Sequence, residues 1–275
     1  MLKKLKIYFI SSLVLTSICI LIYIMCVLFA FDAPIAYFSN STPLPFIAKY
    51  LMIFSAIGVI SLLFLIPKGS LVDSAHPHSK ASRVSAALIA ISLIIYSALR
   101  FIISSNGFLQ PTKLFFACTG LAIISAIFYI MTAVSPATTN PTRVILQITT
   151  IIWAAATMTE AYTNRYVTMN SPIKLLLLLA MMAIMFFSLY EARFLIERPH
   201  PRAYAVAVLL GVCLNSVFSI SFLVMQISGK YSIVEFLPTA IVSLAFSIYQ
   251  LCRALDFLSH QESAPVPQDI TPEST

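Results

Sequence analysis

Four ionisable residues stand out in an otherwise apolar chain: Lys49, Arg100, Glu160 and Glu235. Glu160 follows sixteen residues, 144–159, that carry no charge. A charge at mid-membrane costs about 2.5–3.5 kcal/mol. Glu160 has a short side chain that cannot reach far toward water, so it calls for a partner inside the protein. Arg100 lies seventeen residues after Arg83, and Glu160 lies seventeen after Arg143. At 1.5 Å per residue both sit about 25 Å from a basic residue at the helix start. Opposite charges are therefore expected at one depth, as a pair.

Residues around this pair extend the set. Tyr96 lies one helical turn from Arg100 and is placed to donate its hydroxyl to the carboxylate. Thr157 and Trp153 share the helical face of Glu160, at spacings of three and seven. Lys49 and Glu235 enter from the same side of the membrane, near the starts of their own apolar runs. The chemistry such a set supports is recognition of a small polar solute. The expected site is an outward-opening pocket lined by Tyr96, Arg100, Trp153, Thr157, Glu160 and Glu235, with Lys49 at its rim. The competing account is a structural pair that fixes helix register, with Lys49 and Arg100 snorkelling to the interface. A purely structural pair should tolerate exchange of its two charges.

Other chemistry finds little support. Histidines 76, 78, 200 and 260 fall in polar stretches read as solvated loops, and "HPHSK" lacks the i, i+4 geometry of a catalytic zinc site. No H-E-x-x-H, G-x-S-x-G or Walker-type glycine loop occurs, so no enzyme activity, cofactor or metal is expected. Asn215 and Ser216, deep in an apolar run, read as hydrogen-bonding glue between helices. Pro238 reads as a kink one turn into the last helix. The short loop "YEARFLIERPHPR", with Glu191 and Glu197, reads as an ordinary positive-inside turn, with docking of lipid headgroups or a cytoplasmic partner as the alternative.

These residues need elements to hold them. The chain is 60% hydrophobic and 10% charged, with mean hydropathy +0.94, which is the composition of a membrane protein. Apolar runs near 7–31, 46–66, 84–103, 114–134, 144–162, 173–190, 204–226 and 233–253 are each about long enough to cross a bilayer. The expectation is an all-α polytopic bundle of eight transmembrane helices over 1–258, with a disordered cytoplasmic tail over 259–275. The first run is longer than a signal-peptide core and "LFAFDAPIA" is a poor cleavage site, so the first helix is expected to be retained. The five cysteines lie in apolar runs and show no disulfide framework.

Charge placement gives orientation. With the amino terminus inside, eleven of the 17 Lys and Arg residues are cytoplasmic, so both termini are expected there. The net charge of +7 then anchors the protein to anionic lipid and calls for no nucleic acid. A bacterial plasma membrane is the expected location; "NST" at 40–42 is a formal glycosylation match that short chance alone supplies. Arg83, Arg143 and Arg202 recur about 60 residues apart at helix starts, as do Tyr129, Tyr190 and Tyr249 at helix ends. Tandem two-helix hairpin repeats and ordinary interface chemistry both account for this. Two functions follow: a small-solute permease or ligand-binding membrane protein, or a non-catalytic sensor or assembly subunit recruiting proteins through its cytoplasmic loops or tail.

Overall fold

Long apolar stretches bounded by Pro, Ser and Thr dictate helices, because only a helix satisfies every backbone amide within one segment in lipid. A computed structural model describes residues 2–32, 37–39, 42–66, 71–72, 78–106, 112–135, 141–164, 171–229 and 234–263. Lys68, His76, Arg165, Lys230, Asn40, Ser41 and tail residues 264–275 lie outside them. The helices are α1 (Leu2–Ala30), α2 (Leu44–Leu65), α3 (Lys80–Ser105), α4 (Lys113–Val134), α5 (Pro141–Thr163), α6 (Pro172–Leu195), α7 (Pro201–Ile227) and α8 (Leu237–Ser263). All eight are long and apolar enough to span a membrane, so this is a multi-pass, all-α bundle. A two-residue antiparallel bridge, β1 (Phe31–Asp32) with β2 (Tyr37–Phe38), follows α1.

Helix starts follow their sequence signals. Ser79 caps α3 by accepting from the Ser82 amide at 3.2 Å, and Thr112 caps α4 by accepting from the Phe115 amide at 3.1 Å. Pro141, Pro172 and Pro201 open α5, α6 and α7, where the missing amide hydrogen would have been unpaired anyway.

Each of α3 to α8 packs on the next, and α8 closes back on α3. The result is a six-helix ring of three consecutive hairpins. The α1–α2 pair lies outside it, mainly against α7. Lys6 and Glu262 form an ion pair, so α1 begins and α8 finishes at the same end of the bundle, here the terminal end. The opposite end is distal.

Two of the recurring arginines meet at one helix end. Arg83 donates to the carbonyls of Ala133 and Val134 at 2.9 and 3.0 Å, and Arg143 reaches Met131 and Ser135 carbonyls at 3.4 Å each. Both donate to carbonyls at the same end of α4, where a helix runs out of backbone donors; the Met131 carbonyl also accepts from the Ser135 amide at 3.0 Å. Tyr129 and Tyr249 meet edge to face inside the ring at 5.7 Å, whereas Tyr190 is only partly buried.

The interior is unusually polar for a bundle of this hydropathy. On α5, Arg143, Gln147, Thr150, Trp153 and Thr157 are all buried, at steps of three or four residues that place them on one face. Between α7 and α8, Asn215 Nδ2 donates to Gln250 Oε1 at 3.2 Å and the Ser216 and Ser247 hydroxyls pair at 2.5 Å. The expected glue residues therefore act across helices.

A distal charge cluster

Arg100 on α3 and Glu160 on α5 form a two-pronged ion pair: Nη1 to Oε2 at 2.7 Å and Nη2 to Oε1 at 2.5 Å. Planar guanidinium and planar carboxylate match in this geometry, which is stronger and more directional than a single contact. Arg100 does not snorkel. It is 4% exposed, and its guanidinium carbon lies 4.6 Å from the Phe115 ring centre and 5.2 Å from that of Tyr96.

Tyr96 plays a different part from the one expected. Its hydroxyl accepts from Arg100 Nη1 at 3.1 Å, the guanidinium lying one turn away on the same helical face. Trp153 packs edge-on against Tyr96 at 5.6 Å and stacks on Phe246 at 6.2 Å. Both rings form a layer beneath the charges and do not line the open space.

That space is a partly open hollow bounded by Arg100, Thr157, Glu160, Asn164, Glu235 and Thr239, with Ala161, Leu177 and Phe236 as its apolar wall. The centre of a water-sized sphere can move through about 30 Å³ of it. About 10–15 Å³ of such volume holds one water, so the hollow takes two or so waters, or one small ion.

Glu235 reaches the hollow from a 3-10 turn, Val234–Phe236, and accepts a 2.5 Å hydrogen bond from Asn164 Nδ2. Among the described residues no cation lies within ion-pair distance of it. Lys174, fully buried at the start of α6, donates to the Asn164 carbonyl at 2.8 Å and so holds the same corner.

Two expectations fail here for physical reasons. Lys49 is exposed on α2, a helix that packs on α1 and α7, so the outer hairpin carries it away from the hollow rim. Pro238 does not kink a helix; the 3-10 turn ends just before it and it becomes the second residue of α8, where proline is tolerated. Asn164, Thr239 and Lys174 were absent from the expected site. Asn164 and Thr239 carry no charge, and only the packing of α5 against α6 and α8 against α3 brings them in.

The terminal end holds a second buried cluster. Glu191, expected in a loop, lies instead within α6, which continues through it to Leu195, and it is 4% exposed. Its Oε1 accepts from Arg253 Nε at 3.0 Å and from the Tyr249 hydroxyl at 2.8 Å. Arg253 also reaches Asp256 at 3.3 Å, so it is a buried partner and not a lipid anchor. His78 is likewise no solvated histidine: it is partly buried, and burial together with Arg253, Arg143 and Arg83 pulls its pKa down to about 2.

No family model, curated protein or solved structure matches the chain.

Proposed function

We propose that the protein is a plasma-membrane permease or ligand-binding membrane protein whose ligand at the distal hollow is a small cation, the proton included. The observation that carries this reading is Glu235. Its carboxylate faces a hollow in which the other two charges, Arg100 and Glu160, already neutralise one another. A carboxylate in a small polar space of low dielectric, with no cation within ion-pair distance among the described residues, attracts a cation strongly. The volume argues for an ion or a proton carried by water, and against sugars, amino acids and other larger solutes.

Orientation follows from the basic residues: both termini face the cytoplasm, so the hollow opens outward. The protein performs no covalent chemistry in this reading. Proteoliposomes holding a dye for internal pH or sodium supply the test. Flux is expected with the unmodified chain and is expected to fall at least tenfold with Glu235→Gln. Equal flux from both proteins would overturn the reading.

The alternative, a sensor or assembly subunit, draws support from α2. Only 17% of its apolar stretch is buried, the smallest share of any span. If the hairpin docks other proteins, crosslinking from cysteines placed on the exposed α2 face should capture one specific partner in native membranes.

A further inference from the structure

Glu191 is hydrogen-bonded on one oxygen only. Both donors, Arg253 Nε and the Tyr249 hydroxyl, converge on Oε1, while the buried Oε2 has no partner among the described residues. An ionised carboxylate shares its charge between both oxygens, so a bare buried oxygen is an expensive arrangement. A proton on Oε2 removes the difficulty: Oε1 becomes the carbonyl oxygen that accepts both bonds, and Oε2 becomes a hydroxyl. Arg253 keeps a counter-charge in Asp256.

The surroundings suit a neutral acid. Tyr129 from α4, Tyr204 from α7, and Tyr249, Arg253 and Asp256 from α8 are the titratable groups acting on Glu191 or within its electrostatic reach. On α5, Arg143 is turned to the end of α4, and Gln147 and Thr150 are uncharged. The Tyr129 hydroxyl, Gln147 Oε1, Thr150 Oγ1 and Ser188 Oγ are all buried, and none makes a close, well-aligned hydrogen bond among the described residues. Ser188, Thr150 and Gln147 cluster about the Tyr129 hydroxyl and act on it as weak hydrogen-bonding neighbours.

We infer that Glu191 carries a proton on Oε2 and is the proton-bearing member of a buried polar cluster, with Tyr129, Gln147, Thr150 and Ser188, inside the terminal end of the ring. This goes beyond cation binding at Glu235 and stands without it. When the Oε2 proton leaves to solvent, the carboxylate that remains is held by Arg253 and Tyr249; uptake of a proton from solvent restores the acid.

Infrared difference spectra of the full chain in lipid, recorded while the bath pH is stepped, test this. The protonated carboxyl band of Glu191 is expected in ordinary water and should move promptly on transfer to heavy water. Glu191→Gln should remove it. Tyr249→Phe, which takes one donor from Oε1, should shift it to higher frequency without abolishing it. Glu235→Gln should leave it in place, which separates this result from the distal reading. A spectrum showing only ionised carboxylate, a band that survives Glu191→Gln, or a band that heavy water never reaches would each overturn the inference.

Discussion

The Arg100 guanidinium is held by three kinds of contact at once: a two-pronged bond to Glu160, a hydrogen bond to the Tyr96 hydroxyl, and the face of Phe115. This arrangement bears on the exchange of charges. Arg100→Glu with Glu160→Arg restores opposite signs, but an arginine at 160 starts from another helix and leaves the Tyr96 and Phe115 contacts behind. Each single change is expected to lower stability by about 3 kcal/mol, at the low end for breaking a buried pair because a fifth of the Glu160 side chain is exposed. The double exchange should recover only part of that in thermal melts. Full recovery would mean that sign alone matters at this site. His78 supplies a pH dependence. Unfolded, it takes a proton near pH 6.5; folded, burial and three arginines hold its pKa at about 2. The unfolded state therefore binds more protons below pH 6.5, and stability falls as the pH drops through that value, by of order 1 kcal/mol per unit. Melts at pH 7 and pH 5.5 should show this loss in the unmodified chain and less of it in His78→Gln. The Arg100–Glu160 pairing was legible because two charges at equal helical offsets can hardly avoid each other in lipid. His78 was not, because nothing local reveals that packing will bury it within the electrostatic reach of Arg253, Arg143 and Arg83.

At the scale of helices, sequence reading succeeded where the apolar run decides the matter and failed where charge sits inside a helix. All eight runs became helices. The end of α6 was misplaced because Glu191 and Arg193 looked like the start of a loop, whereas the partners that allow Glu191 to be buried come from α8, far away in sequence. The close approach of α7 and α8 makes a further prediction. A Cβ at Gly211 would collide with the side-chain amide of Gln250, which is fully buried and accepts from Asn215. Gly211→Ala must push that amide aside and lose an interhelical hydrogen bond, at about 1 kcal/mol. In a Gln250→Ala background the same change should cost almost nothing. A double-mutant cycle on melting temperatures reads the difference directly.

The whole molecule is a closed ring of three hairpins with a fourth hairpin added outside. The order of the hairpins was visible in the succession of apolar runs, whereas the 60-residue spacing of arginines and tyrosines fits tandem repeats and ordinary interface chemistry alike. Ring closure by α8 against α3 was not, since contacts between elements so distant in sequence leave no periodic trace. The exterior placement of α1 and α2 explains the one residue that strayed furthest from its expected position, Lys49. Reporter fusions at both termini should give the same, cytoplasmic signal; opposite signals would contradict an even number of crossings. Occupation of the distal hollow is the claim on which the function rests, and ion-dependent stability tests it most directly. In lipid discs, a cation that binds the folded protein at about 100 times its dissociation constant adds about 2.7 kcal/mol of stability. For a chain of this size that is a rise in Tm of about 5–10 °C. Titrating sodium, potassium and protons against the unmodified chain should give such a rise with at least one of them, and none with Glu235→Gln. A flat response to all three, or the same rise in both proteins, would contradict the account.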